Sequence, residues 1–267
     1  MNERFSGKQA PPRTNAVSAR TLLTRKWLLG HLLALLLIVL FVNFGMWQLR
    51  RLDQRQSSNT LIAQRAAARP QPLGELLESH AQEPEVLAYR RAYAQGSFEP
   101  EFELLLRSRS HQGVAGWHVL TPLVQESGRA LLVDRGWVPY EMDTLPLEEA
   151  SPPAGEVRVE GVVRLEQDPP KGWAANFAPR DPGEGSLASS YYVDVDRLSG
   201  QIPFPLEPVY LEQVAQDPAQ TGELPLPPER EELNSGSHLS YALQWFSFAV
   251  IGLIGYAILL WRTARGE

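Results

Sequence analysis

With 267 residues, 43% of them hydrophobic, the chain has room for one large domain or two small ones around a proper core. It has no cysteine, which excludes disulfides, thiolate metal sites and a cysteine nucleophile. The formal charge of −6 is unevenly spread: both tails are basic, and the acidic stretch between them excludes the basic patch that a nucleic-acid partner requires.

Ahead of Trp27 six basic residues stand against Glu3, and after Trp261 Arg262 and Arg265 stand against Glu267; taking these away leaves 17 basic and 29 acidic residues. Residues 1–27 are polar and broken by Pro11-Pro12, and they read as a flexible tail. A mitochondrial presequence is the rival reading, disfavoured because those prolines interrupt the amphipathic helix such a peptide needs.

Residues 28–46 are apolar, bracketed by Trp27 and Trp47, and are expected to form a first membrane span. The run is longer than a signal-peptide core, and Trp47 to Arg51 offers no small-residue cleavage site. The helix is predicted to continue to about Arg69, where Pro70 ends it, with a second, short helix over Leu73 to Ser79.

From Tyr89 the pattern changes to strands: Tyr89 to Ala94, Phe102 to Arg107, Trp117 to Leu123, Ala130 to Trp137, Val157 to Leu165, Tyr191 to Val195 and Val209 to Val214. Pro/Gly-rich loops are expected at 144–155, 168–185 and 216–228. The fold class that follows is a membrane protein: two transmembrane α-helices flanking a β-rich domain with a few helices, the β part an antiparallel sandwich or small barrel. No helix-length pattern separates the strands, which argues against a parallel sheet.

Residues 239–261 carry no charge and form the second expected span, leaving 47–238 as the domain and 262–267 as a short tail. Two spans put both termini on one side, and the basic tails place that side in the cytoplasm. Arg50, Arg51 and Arg55 argue the other way but are outnumbered. The expected location is the bacterial cytoplasmic membrane, with the mitochondrial inner membrane as the less favoured choice.

Catalysis has little support: there is no Gly-x-Ser-x-Gly, no His-Glu-x-x-His and no phosphate-cradling loop. His111 and His118 read as strand-end surface residues, so the chain is not expected to be an enzyme. Two local patterns stand out. His238, Tyr241, Ala242 and Trp245 share one face at the mouth of the last span, either an aromatic belt or a metal-capable surface. Asp134-Arg-Gly-Trp-Val-Pro139 closes an apolar strand: Gly136 permits a bulge or close approach, and Arg135 and Trp137 are expected to share a face and stack.

Gly45-Met-Trp-Gln-Leu-Arg50, Asp134 to Pro139, and Asn234 with His238-Leu-Ser-Tyr-Ala-Leu-Gln-Trp245 together resemble the Surfeit-locus cytochrome oxidase biogenesis family, called Shy-type in yeast. The likeness departs from the family at Ser235-Gly-Ser237, where consecutive asparagines are usual. It implies a non-enzymatic assembly factor for haem-copper oxidases that acts on the catalytic subunit, binds haem a transiently and aids its insertion. A cofactor-free scaffold for oxidase subunits is the alternative. By motif His238 would ligate the iron, with Tyr241 and Trp245 along the macrocycle. Trp47, Gln48 and Arg50 lie at the same level, to meet the propionates or hold the helix at the interface. His31 lies about 22 Å along the axis from Met46 and cannot share that haem, whereas Met46 has the depth for a second ligand.

Overall fold

The structure, a computed structural model, describes residues 21–167, 169–182, 185–229 and 232–265. Most of the basic tail expected at 1–27, and the last two residues of the tail at 262–267, lie outside them. Two compact units result, one helical and drawn from both ends of the chain, and one β-rich, residues 60–233.

In the helical unit, α1 (Arg25–Ala67) and α4 (His238–Arg265) are each long and apolar enough to cross a membrane. The first expected span and its extension are one unbroken helix, which stops shortly before Pro70 as anticipated. The least exposed positions of α1 recur at Trp27, His31, Ala34, Ile38, Phe41, Gly45, Gln48 and Leu52, and those of α4 at His238, Ala242, Trp245 and Ala249. Steps alternating between three and four residues make the seam of two closely packed helices. Small residues set the spacing: a Cβ on Gly45 would stand 2.6 Å from the Phe246 ring, and one on Gly252 would meet Ile38 at 4.0 Å.

The β-rich unit begins with β1 (Gln71–Pro72) and α2 (Leu73–Ser79), the latter where the sequence placed it. Then come β2 (Arg91–Phe98), β3 (Leu104–His111), β4 (Val114–Val124), β5 (Ala130–Pro139) and β6 (Glu156–Leu165). They are followed by β7 (Ser189–Ser190), α3 (Val195–Leu198) and β8 (Leu206–Asp217). The expected strand Tyr191 to Val195 is instead a turn into α3, because the Asp194 carboxylate accepts from Arg197 N at 3.0 Å and starts a helix there.

The sheet runs β1-β2-β6-β8-β5-β4-β3-β7, and pairing of Ser97 with Val124 and Phe98 with Leu123 joins β2 back to β4. Five strands thereby close into a small barrel. The expectation of an antiparallel arrangement is corrected: β5 pairs with β8 in parallel, as do β1 with β2 and β3 with β7. The crossover that parallel pairing demands is supplied by β6, long loops and α3, so no helix-length pattern was needed.

Alternation sorts the core into layers. Leu131 and Val133 of β5 join Phe98, Leu123, Val159 and Leu211 inside the barrel, with Leu73 and Leu76 of α2 against them. Their neighbours Ala130 and Leu132 face the other way, where Leu106, Leu120, Tyr210 and the α3 residues Val195 and Leu198 form a second layer.

Candidate functional site

α4 starts at His238 because the preceding residues form a turn. Asn234 Oδ1 accepts from Gly236 N at 3.3 Å, Gly236 sits at φ +66°, and Ser237 O accepts the first helical bond from Tyr241 N at 3.1 Å. The Ser-Gly-Ser departure thus builds the step that brings His238 to the helix mouth. The Asn234 carbonyl is held separately by Asn59 Nδ2 at 3.0 Å.

At that mouth His238 Nδ1 lies 2.9 Å from Gln48 Oε1. An amide oxygen only accepts, so Nδ1 carries a proton, and in the neutral imidazole Nε2 is the nitrogen with the free lone pair. This is how proteins present a metal-ligating imidazole: one nitrogen is held by a neighbour and the other is left basic. A cleft of about 450 Å³ adjoins it, lined by His238 and by Arg51, Gln54, Arg55 and Ser58 along one side of α1. The donor set is one imidazole nitrogen beside two guanidinium groups, which suits an iron porphyrin with carboxylate side chains.

The other expected residues divide. Trp245 is spent on the helix seam, with its ring 5.8 Å from Phe41 and 4.9 Å from Phe44. Tyr241 stays 49% exposed beside His238. Trp47 and Arg50 face outward, and Arg51 stacks over Trp47 at 6.0 Å. Met46 follows Gly45 around α1, off the seam and away from His238. His31 has both nitrogens engaged, Nε2 by Leu22 O at 3.0 Å and Nδ1 by the Tyr256 hydroxyl, and is a clamp between the helices.

In the β-rich unit, Gly136 has φ +121° and lies so close to Leu226 O that a Cβ would be 2.0 Å away. The close approach lets Trp137 exchange backbone bonds of 2.7 and 2.8 Å with Leu226. The register shifts there, Leu120 opposing Asp134 and Val119 opposing Gly136, so Arg135 is the extra residue of a bulge. The expected Arg135–Trp137 stack is therefore corrected. Arg135 turns inward, donates to Glu103 Oε1 at 3.1 Å and Ala150 O at 2.6 Å, and lies 5.5 Å over Phe98. Trp137 turns outward against His111. Arg135 is 1% exposed, and burial pulls its pKa down to about 10 against the opposing pull of Glu103. Burial likewise raises the Glu103 pKa, although Leu147 N, Arg135 and Thr121 all favour its carboxylate.

The sequence pattern of the SURF1 family matches residues 35–250. The chain belongs to the SURF1 family. A SURF1-like protein of Mycobacterium tuberculosis is 27% identical over 245 residues, covering 88% of this chain and 85% of the relative. Surfeit locus protein 1 of Arabidopsis thaliana is 25% identical over 299 residues, covering 90% and 80%. A SURF1-like protein of Caenorhabditis elegans is 25% identical over 249 residues, covering 86% and 73%.

Two features of this SURF1-family chain escaped the sequence reading. Arg51 and Arg55 counted only as charges bearing on topology, yet their four-residue spacing puts them on one helix face beside His238. Glu103 gave no signal, because a lone acid at a strand start looks like any surface carboxylate.

Proposed function

We propose that this SURF1-family chain is a membrane-anchored, non-enzymatic assembly factor for haem-copper cytochrome oxidase that holds haem a on its way to the catalytic subunit. The observation that carries the reading is the His238–Gln48 pair, which leaves Nε2 basic beside the Arg51 and Arg55 cleft. His238 would ligate the iron, the two arginines would meet the propionates, and Tyr241 would border the macrocycle. Haem supplies the redox-active iron that the oxidase needs; the chain's own residues bind, orient and release it. A single imidazole suits release, since a cofactor held too tightly is not delivered. The two long apolar helices support anchoring in the bacterial cytoplasmic membrane, with both termini in the cytoplasm and the β-rich unit outside.

A cofactor-free scaffold is the second reading. It is favoured by Trp173 and Phe177, 79% and 74% exposed on and just after the 3-10 turn Gly172–Asn176, where a partner could cover them. Purification in detergent from cells that synthesise haem a separates the two. The haem reading expects an absorption band that His238→Ala abolishes and that Gln48→Ala weakens by about 10–100-fold in affinity. A band retained in His238→Ala removes His238 as ligand, and the lack of any band favours the scaffold.

A further inference from the structure

The strand residues that face away from the barrel interior carry a row of charge across five strands. Arg164 on β6 opposes Tyr210 of β8, Glu212 of β8 opposes Asp134 of β5, and His118 of β4 and Arg109 of β3 continue the row. They line a cavity of about 500 Å³, within the range of small-molecule sites, with Ala88, Leu165 and Pro228 as its apolar wall.

The three acids that line the cavity are already committed, Glu229 by accepting from Gln112 N at 2.6 Å. Asp134 Oδ2 accepts from His118 Nδ1 at 2.9 Å while its Oδ1 accepts from Gly136 N at 3.1 Å, and Glu212 takes Arg164 Nε at 2.8 Å. Burial alone would lower the Arg164 pKa, but Glu212 outweighs it and holds the group charged. Arg109 is different. Among the described residues it has no carboxylate partner, and its guanidinium donates only to Arg107 O at 3.3 Å and Gln167 Oε1 at 3.4 Å.

His118 was expected on the surface and is 8% exposed. With Asp134 facing Nδ1, the neutral imidazole carries its proton there and offers the unengaged Nε2 as a hydrogen-bond acceptor on a residue that lines the cavity. Tyr210 accepts from Gln167 Nε2 at 3.0 Å, and burial, then the charge of Asp134, push its pKa up so that the phenol keeps its proton. Backbone cost is concentrated here as well. Tyr89, whose ring lies 4.7 Å under Arg164, has φ +66°, and Ser108 at φ +57° makes the bulge that delivers Arg109. Bulky and branched residues avoid that region, and such outliers gather at binding sites.

We propose that this cavity binds a small organic carboxylate that also bears a hydroxyl. The carboxylate pairs with Arg109, the hydroxyl donates to His118 Nε2, and the carbon skeleton lies against Leu165 and Pro228. The proposal does not rest on haem binding, and it is tested on haem-free protein so that the two stand or fall separately.

The test is calorimetric titration of the full chain in detergent with 3- and 4-hydroxybenzoate, using benzoate, 4-hydroxybenzamide and inorganic phosphate as controls. At least one hydroxybenzoate is expected to bind saturably, about tenfold or more tighter than either the acid lacking the hydroxyl or the uncharged amide. Arg109→Gln should erase the preference for acid over amide, and His118→Phe the preference for hydroxybenzoate over benzoate. Thermal melting checks the fold of each variant, and should His118→Phe fail to fold, the partly exposed Arg109 decides alone. Saturable binding of neither hydroxybenzoate, equal binding of the amide, tighter binding of phosphate, or unchanged binding in Arg109→Gln each overturns the proposal.

Discussion

Replacing Arg135 with Met tests the interior of the β-rich unit. The change leaves the Glu103 carboxylate, whose side chain is 0% exposed, without its cation, and among the described residues keeps Thr121 Oγ1 at 3.0 Å and Leu147 N at 3.1 Å. Stranding one member of a buried ion pair costs about 3–5 kcal/mol. In a unit of this size each kcal/mol moves the melting midpoint by about 2–4 °C, so the expected fall is about 6–20 °C. Adding Glu103→Gln removes the stranded charge and keeps an acceptor for Leu147 N, so the double variant should regain most of the loss. The reason lies in the two pKa directions: burial pushes both members toward their neutral forms, so the pair itself contributes little beyond cancelling its own desolvation. The sign with pH follows. A carboxyl whose folded pKa is raised favours the fold most below its ordinary value of 4.5, and that contribution is lost as pH rises through the folded pKa. Arg135→Met removes a charge that lowered this pKa, so the gap between wild type and Arg135→Met should narrow as pH falls toward the ordinary carboxyl value of 4.5. Melting of the detergent-solubilised chain, followed by tryptophan emission across pH, measures all three. A double variant no more stable than Arg135→Met alone would refute the reasoning.

Three further outcomes follow. Gly136→Ala adds a Cβ 2.0 Å from Leu226 O at φ +121°, and the backbone strain alone should cost about 1–3 kcal/mol in the same melt. The native chain has no cysteine, so Ile38→Cys with Gly252→Cys should cross-link cleanly under oxidation; Gly45→Ile should abolish the cross-link by driving the Phe246 ring out of the seam. Trp173→Ala with Phe177→Ala should leave thermal stability within about 0.5 kcal/mol, because the two exposed rings make their aromatic contact with each other, 5.0 Å apart.

Much of this was legible because the signals were local. Charge-free runs marked α1 and α4, Pro70 marked where α1 stops, and α2 was placed to the residue. Six of the seven expected strands lie where apolar alternation put them. What escaped depends on partners distant in sequence. Simple alternation placed Arg135 beside Trp137, and one inserted bulge residue sent them to opposite faces, a shift visible only once β4 lies alongside. His118 looked like a strand-end histidine until Asp134, 16 residues on, came within 2.9 Å. The family motif pointed to His238, but its tautomer depended on Gln48, 190 residues away.

The barrel is closed at one place by only two facing residue pairs, Ser97 with Val124 and Phe98 with Leu123, while β2 and β6 share seven. Gly96 leaves no room for a side chain beside the Val124 carbonyl, so this staves' joint has backbone proximity but little interlocking to hold it. Local fluctuations should therefore unzip the barrel here first, and amide deuterium uptake should be faster at Glu99, whose N donates to Pro122 O across this join at 2.9 Å, than along the β2–β6 border. A cylinder with one weak join can breathe open into a curved sheet without unfolding.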